Sequence, residues 1–451
     1  MKPYQLTLCT AVGKIRAGEI TSEDYTRAVL ERVRRLEPRV RAFAWLDPER
    51  ALVKARLADE QRRAATAGGL LHGAPLGIKD IMETESIPTG MGSPVFDGYV
   101  PRRSAAVVRR LEAAGAFVLG KTVTAELAYF HPGPTRNPWN AAHTPGGSSM
   151  GSAAAVAAGM TPAALGTQTN GSVIRPAAFC GCVGFKPSEG LVARSGIQPF
   201  SPTLDQVGVF ARTVADAALV AAALLGRDPE DPSSVEPQAA LAEGLRALRP
   251  LARAPRLAAV RSPVWPLAEA AQQALFERNL GALRRAGAAV EEIELGAGFA
   301  RAHEMLRRIM YVEGARTLTA LQERHRDRLS ATLNRLIDGG RQIAESDYRE
   351  ALACRATLQG ELQSLLASCD AIVTPPARGE APATLAHTGD PAFCTIWTLC
   401  GAPAVTIPTG LGPHRLPLGL QIVGNRRDDV RMLQVARWCA EAIGFDTGFP
   451  E

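Results

Sequence analysis

Short apolar runs alternate with longer helical segments along most of this chain. That alternation restricts it to a layered α/β architecture, because each run must be buried against helices on both faces. Residues 76–81, 116–119, 163–169, 257–260, 371–374, 404–408 and 418–423 read as strands. Helices are expected over 22–36, 48–65, 105–114, 213–225, 267–287, 300–326, 342–368 and 428–443. In the first of these, Ser22 is placed to cap the N-terminus, and Tyr25, Val29, Val33 and Leu36 share one face. Gly115 ends the third. Residues 227–255, rich in Pro, Ala and Glu, read as a surface excursion. With no internal repeat and no long linker, the expectation is one α/β/α body around a twisted, mainly parallel or mixed sheet.

Composition narrows the function classes. The 46% hydrophobic content of 451 residues supports a large core, and 5% aromatic content favours close helix–sheet packing. Fifty-one basic and 45 acidic residues give a net charge of +6. They are interspersed rather than gathered into a stripe, so no nucleic-acid partner is expected. No apolar run is long enough to span a membrane, and the N-terminus shows no signal-peptide pattern. A cytoplasmic location follows as the expectation. The eight cysteines contain no CxxC pair, and Cys180 and Cys182 are too close for zinc spacing. They read as reduced core residues, with neither a metal nor an organic cofactor expected. Lysine is scarce: Lys2, Lys14, Lys54, Lys79, Lys121 and Lys186 are all there are. A catalytic lysine must come from that short list.

Two motif matches stand in contexts that do not suit them. GAFVLGKT (115–122) fits the phosphate-loop pattern, but a helix precedes it and an apolar strand fills it, the reverse of the required order. GSSMG (147–151) fits the nucleophile elbow with Ser149 at its centre, although turn formers rather than a strand lead into it. An α/β-hydrolase-type esterase using Ser149 is therefore a distant alternative. His303, His325, His387 and His414 lie downstream, none in a distinctive context.

Three further segments stand apart from ordinary scaffold: PLGIKD (75–80), PGGSSMGSAAAVAAG (145–159) and GTQTNGSVIRPAAFCGCVGFKPS (166–188). Together they resemble the amidase signature family. The likeness continues through 201–220 and recurs in GAPAVTIPTG and LPLGLQIVG near the C-terminus. The resemblance implies one amidase domain over 1–451, with a signature core at about 70–220. A variable, substrate-shaping region at about 227–370 and C-terminal strands and a helix at about 370–445 complete it. It also implies hydrolysis of a carboxamide or ureido-type amide through an acyl-enzyme. Ser172 would be the nucleophile, Ser148 the bridge, with a cis peptide bond at residue 148, and Lys79 the base. The backbone of Thr169, Asn170, Gly171 and Ser172 would form the oxyanion hole.

Those residue types suit the chemistry. A serine hydroxyl needs a base to become a nucleophile. Ser148 can accept a proton from Ser172 while donating to Lys79, which must first be neutral. Ser152 reads as the cap of the helix that follows. Arg175, three residues after Ser172, either binds a substrate carboxylate or pins the loop. Met150, Asn170 and Gln168 depart from the family pattern of glycine, glycine and aspartate. Met150 and Asn170 are expected to border the pocket. The expected partners are a small amide substrate and a second copy of the chain, with room for an accessory protein. A close rival is the glutaminase subunit of an aminoacyl-tRNA amidotransferase; a binding-only member is disfavoured because all three catalytic positions are filled.

Overall fold

The computed structural model describes residues 2–66 and 68–451. Its strands are β1 (Phe43–Leu46), β2 (Pro75–Lys79), β3 (Phe117–Thr122), β4 (Ala163–Gln168), β5 (Val183–Lys186) and β6 (Gln206–Ala211). They continue with β7 (Arg256–Val260), β8 (Ala289–Ile293), β9 (Ala371–Thr374), β10 (Ala404–Leu411) and β11 (Pro417–Val423). Among the described residues these form one 11-stranded sheet, ordered β1-β3-β2-β4-β6-β5-β10-β11-β9-β7-β8. The sheet is mixed. Parallel pairing is confined to β3-β2-β4 and to β9-β7-β8, and the pairs between and outside them are antiparallel.

All seven expected strands form, within a few residues of their expected limits. Strands β1, β5, β6 and β8 were not apparent in the sequence. The middle pair carry glycines where neighbours approach closely, which thins their apolar pattern. A Cβ on Gly208 would lie 2.7 Å from the Val173 side chain, and one on Gly184 2.5 Å from Ala177. The helix Ser22–Val40 buries Tyr25, Val29, Val33 and Leu36 as patterned. Its cap is Thr21 rather than Ser22: Thr21 accepts from the Asp24 amide, and Ser22 Oγ donates to the Gly73 carbonyl instead. The excursion after residue 226 contains a helix of its own, Ala239–Ala247.

Three features of this frame position the site. Parallel β2 and β4 run side by side and end at the same sheet edge, where α/β sheets bind their ligands. The Gly/Ser loop before the helix Met150–Ala157 comes alongside. The helix Ala302–His325 lies against the loop before β6 and is pinned by Glu313, which accepts from Ser201 Oγ (2.6 Å), the Thr203 amide (2.9 Å) and Tyr348 Oη (2.7 Å).

Candidate active site

Strand β2 ends on Lys79, whose side chain is fully buried. Its Nζ donates to Ser148 Oγ at 2.8 Å and to Thr167 Oγ1 at 2.7 Å. Both partners are hydroxyls. Burial lowers the Lys79 pKa to about 7, opposed by the negative charge of Asp205. Ser148 is buried and follows a cis Gly147–Ser148 peptide bond. Its carbonyl accepts from the amides of Ala125 and Met150, which fixes the loop.

Ser172 lies in the turn between β4 and the helix Ile174–Cys180. It lines a cavity of about 20 Å³ together with Thr169, Asn170, Gly171 and Arg175. Among the described residues its hydroxyl makes no hydrogen bond, so Lys79 and Ser148 are in direct contact while the Ser172–Ser148 link is open. The amides of Asn170, Gly171 and Ser172 likewise meet no acceptor among the described residues. The carbonyl of Asn170 is held by Thr398 Oγ1 (2.6 Å) and its Oδ1 by Thr395 Oγ1 (2.9 Å). Gly171 has to be small, because a Cβ there would come within 2.9 Å of Pro391.

Gln168 takes over the turn without a charge. Its Oε1 accepts from the amides of Val173 (2.8 Å) and Ile174 (3.0 Å), while Nε2 donates to Thr398 Oγ1 (2.8 Å). Arg175 both supports and faces the site. Its Nη2 donates to the Gly147 carbonyl (2.7 Å) and Thr388 Oγ1 (3.1 Å), while Nε and Nη1 are buried without partners among the described residues. Burial lowers its pKa to about 10. Met150 is not among the residues lining the cavity; it is buried, with Sδ 3.2 Å from the Gly133 amide. Ala128, Tyr129, Phe130, Phe200, Met310 and Pro391 make the other walls, Tyr129 and Phe200 stacking at 5.3 Å.

Both misleading motifs resolve as scaffold. Ser149 is fully buried; its Oγ donates to the Thr167 carbonyl (3.1 Å) and accepts from the Thr167 amide (3.2 Å), bracing β4. Residues Phe117–Thr122 of the phosphate-loop pattern are strand β3, and Lys121 is buried against Asp80 at 3.1 Å. Ser152 lies inside the helix and donates to the Leu165 carbonyl (2.8 Å) instead of capping it. Among the described residues no group of three or more His, Cys, Asp or Glu side chains is placed to hold a metal ion. Among the described residues no helix is long and apolar enough to cross a membrane.

The Amidase family profile matches residues 24–433. The chain belongs to the amidase signature family. It is an enzyme acting on carbon–nitrogen bonds other than peptide bonds. This amidase is 36% identical to the A component of the glutamyl-tRNA(Gln) amidotransferase of Roseiflexus castenholzii, over 99% of its own length and 98% of the relative's. Among solved structures it resembles a peptide amidase from Stenotrophomonas maltophilia, at 31% identity and a TM-score of 0.87, covering 100% of this chain and 99% of that one. It also resembles a chain of a vestigial complex related to an s-triazine catabolic enzyme, at 25% identity and a TM-score of 0.89, covering 99% of each chain.

Proposed function

We propose that this amidase hydrolyses small carboxamides through an acyl-enzyme on Ser172, with Ser148 and Lys79 as proton carriers. One observation carries the reading: a buried lysine whose two hydrogen-bond partners are hydroxyls, one of them Ser148. Such a lysine is held near neutrality, where it can accept a proton.

In acylation the Ser172 proton passes to Ser148, whose own proton goes to Lys79. The Ser172 oxygen bonds to the carboxamide carbon, and the resulting oxyanion takes donors from the free amides of Asn170, Gly171 and Ser172. The carbon–nitrogen bond then breaks, and the proton returns along the same path to the departing amine. Water attacks the ester, the relay accepts its proton, and the carboxylic acid leaves with Ser172 restored. The small cavity and its apolar walls fit a compact acyl group, and the unpaired Arg175 donors suit an oxygen acceptor on it.

The test is a panel of aliphatic and aromatic amides with ammonia or amine release as the readout, beside labelling by a serine-directed phosphonate. Ser172→Ala is expected to lower turnover by about 10⁴-fold or more and to abolish labelling. Unchanged turnover in that variant would overturn the mechanism. A second reading, supported by end-to-end likeness to the amidotransferase A components, is that the chain releases ammonia from glutamine inside a complex. Glutamine turnover that appears only with partner proteins and tRNA would select it.

A further inference from the structure

Beside the catalytic residues lies a half-buried carboxylate with no part in the relay. Asp205 precedes β6 and lines a cavity of about 250 Å³ with Thr167 and Thr169. Its Oδ1 accepts from Thr169 Oγ1 at 2.6 Å, and its Oδ2 accepts from the amides of Phe200 (2.8 Å) and Ser201 (2.9 Å). Thr167 and Thr169 are two residues apart at the end of β4, so their side chains share one face. One hydroxyl holds Lys79 and the other is held by Asp205. Two residues of strand span about 7 Å, which sets the scale of the separation between ammonium and carboxylate.

We propose that Asp205 is a positioning residue with two effects: through Thr169 it fixes the turn that carries Ser172, and through its charge it sets how readily Lys79 gives up a proton. The inference rests on the catalytic reading above. The surroundings leave Asp205 as the charge that acts on Lys79. Asp80, just past the end of β2, and Lys121 on β3 neutralise each other at 3.1 Å. Arg194, which borders the same cavity and donates to the Asp205 carbonyl, is paired with Asp231. Glu230 also borders the cavity, and Glu313 is held by Ser201, Thr203 and Tyr348 on the far side of the loop. Burial raises the Asp205 pKa, and its three hydrogen bonds oppose that rise and favour the charged form. Asp205 in turn supports the protonated form of Lys79. The carboxylate therefore tempers the lysine: without it, burial alone would take Lys79 lower and leave a weaker base.

The scarcity of lysine makes this measurable without turnover. In protein labelled at lysine ¹³Cε, six residues contribute resonances, and Lys79→Arg assigns the one that matters. Titration of Asp205→Asn is expected to move the Lys79 midpoint down by roughly one pH unit. The acid limb of kcat/KM should move with it. Asp205→Ser is the second variant, since it removes the charge without turning an amide donor toward the Phe200 and Ser201 N–H groups. Thr169→Val should lower kcat several-fold and leave the midpoint in place. A Lys79 midpoint unmoved in whichever Asp205 variant folds overturns the inference. The catalytic reading stands or falls separately, on Ser172→Ala.

Discussion

The ends of β2 and β3 lie side by side and each carries a fully buried lysine, yet the two are put to opposite uses. Lys121 on β3 contacts a carboxylate, Asp80, and also donates to the Met82 carbonyl (2.9 Å) and Thr89 Oγ1 (2.6 Å). Burial lowers the pKa of Lys121 and raises that of Asp80, while their mutual attraction opposes both shifts. Lys79 on β2 meets Ser148 and Thr167 instead. Both lysines are equally out of water. The difference lies in the contacting group: a carboxylate favours the charged ammonium of Lys121, whereas the hydroxyls around Lys79 add no charge.

The largest expected effect comes from removing the amine at the end of β2. Lys79→Met should lower kcat by about 10³-fold or more while the protein still folds, because the side chains it contacts are hydroxyls and no contacting carboxylate loses its partner. Lys121→Met should do the reverse. It leaves Asp80 buried and unpaired, at a cost of about 3–5 kcal/mol in urea unfolding, and any loss of activity should follow loss of fold. Equal stability losses in the two variants would break the comparison.

A pH series sharpens it. Folded Lys79 releases its proton at about pH 7, against an ordinary value of 10.5, so between those limits the unfolded chain holds more protons. This group therefore makes stability rise with pH across that window, by about 1.4 kcal/mol per unit. Urea unfolding between about pH 7.5 and 9.5 should show that contribution in the wild type and lack it in Lys79→Met. Activity should rise through about pH 7 as the neutral amine forms, and a limb that falls there instead would contradict the assignment. The smallest effect is expected at the neighbouring serine. Ser149→Ala should cost about 1 kcal/mol for its hydrogen bonds to Thr167 and leave turnover nearly intact.

The sequence made the alternation of strands and helices readable, along with the loops around Lys79, Ser148 and Ser172, because glycine and serine clusters mark places where backbone must come close. It could not show which edges of the sheet would pair antiparallel, since that depends on how distant strands meet. Thr167, and the tie from Thr169 to Asp205, were missed for a related reason. Each acts across a long separation, 88 residues from Lys79 to Thr167 and 36 from Thr169 to Asp205. A threonine in a strand carries no local mark of such a role. A period-two reading of GTQTN would have offered one, by placing both threonine hydroxyls on the same face. Gln168 shows the converse: it departs from aspartate at a marked position, and its amide oxygen meets two backbone donors without charge.

The burial of Lys79, Lys121 and Lys186 also bears on handling the protein. The remaining three lysines, Lys2, Lys14 and Lys54, all belong to the first 54 residues and retain access to solvent. Amine-directed coupling to a resin or a dye would therefore attach through side chains at that end of the chain. The buried Lys79 amine would stay shielded from the reagent, so a tethered preparation should keep it unmodified.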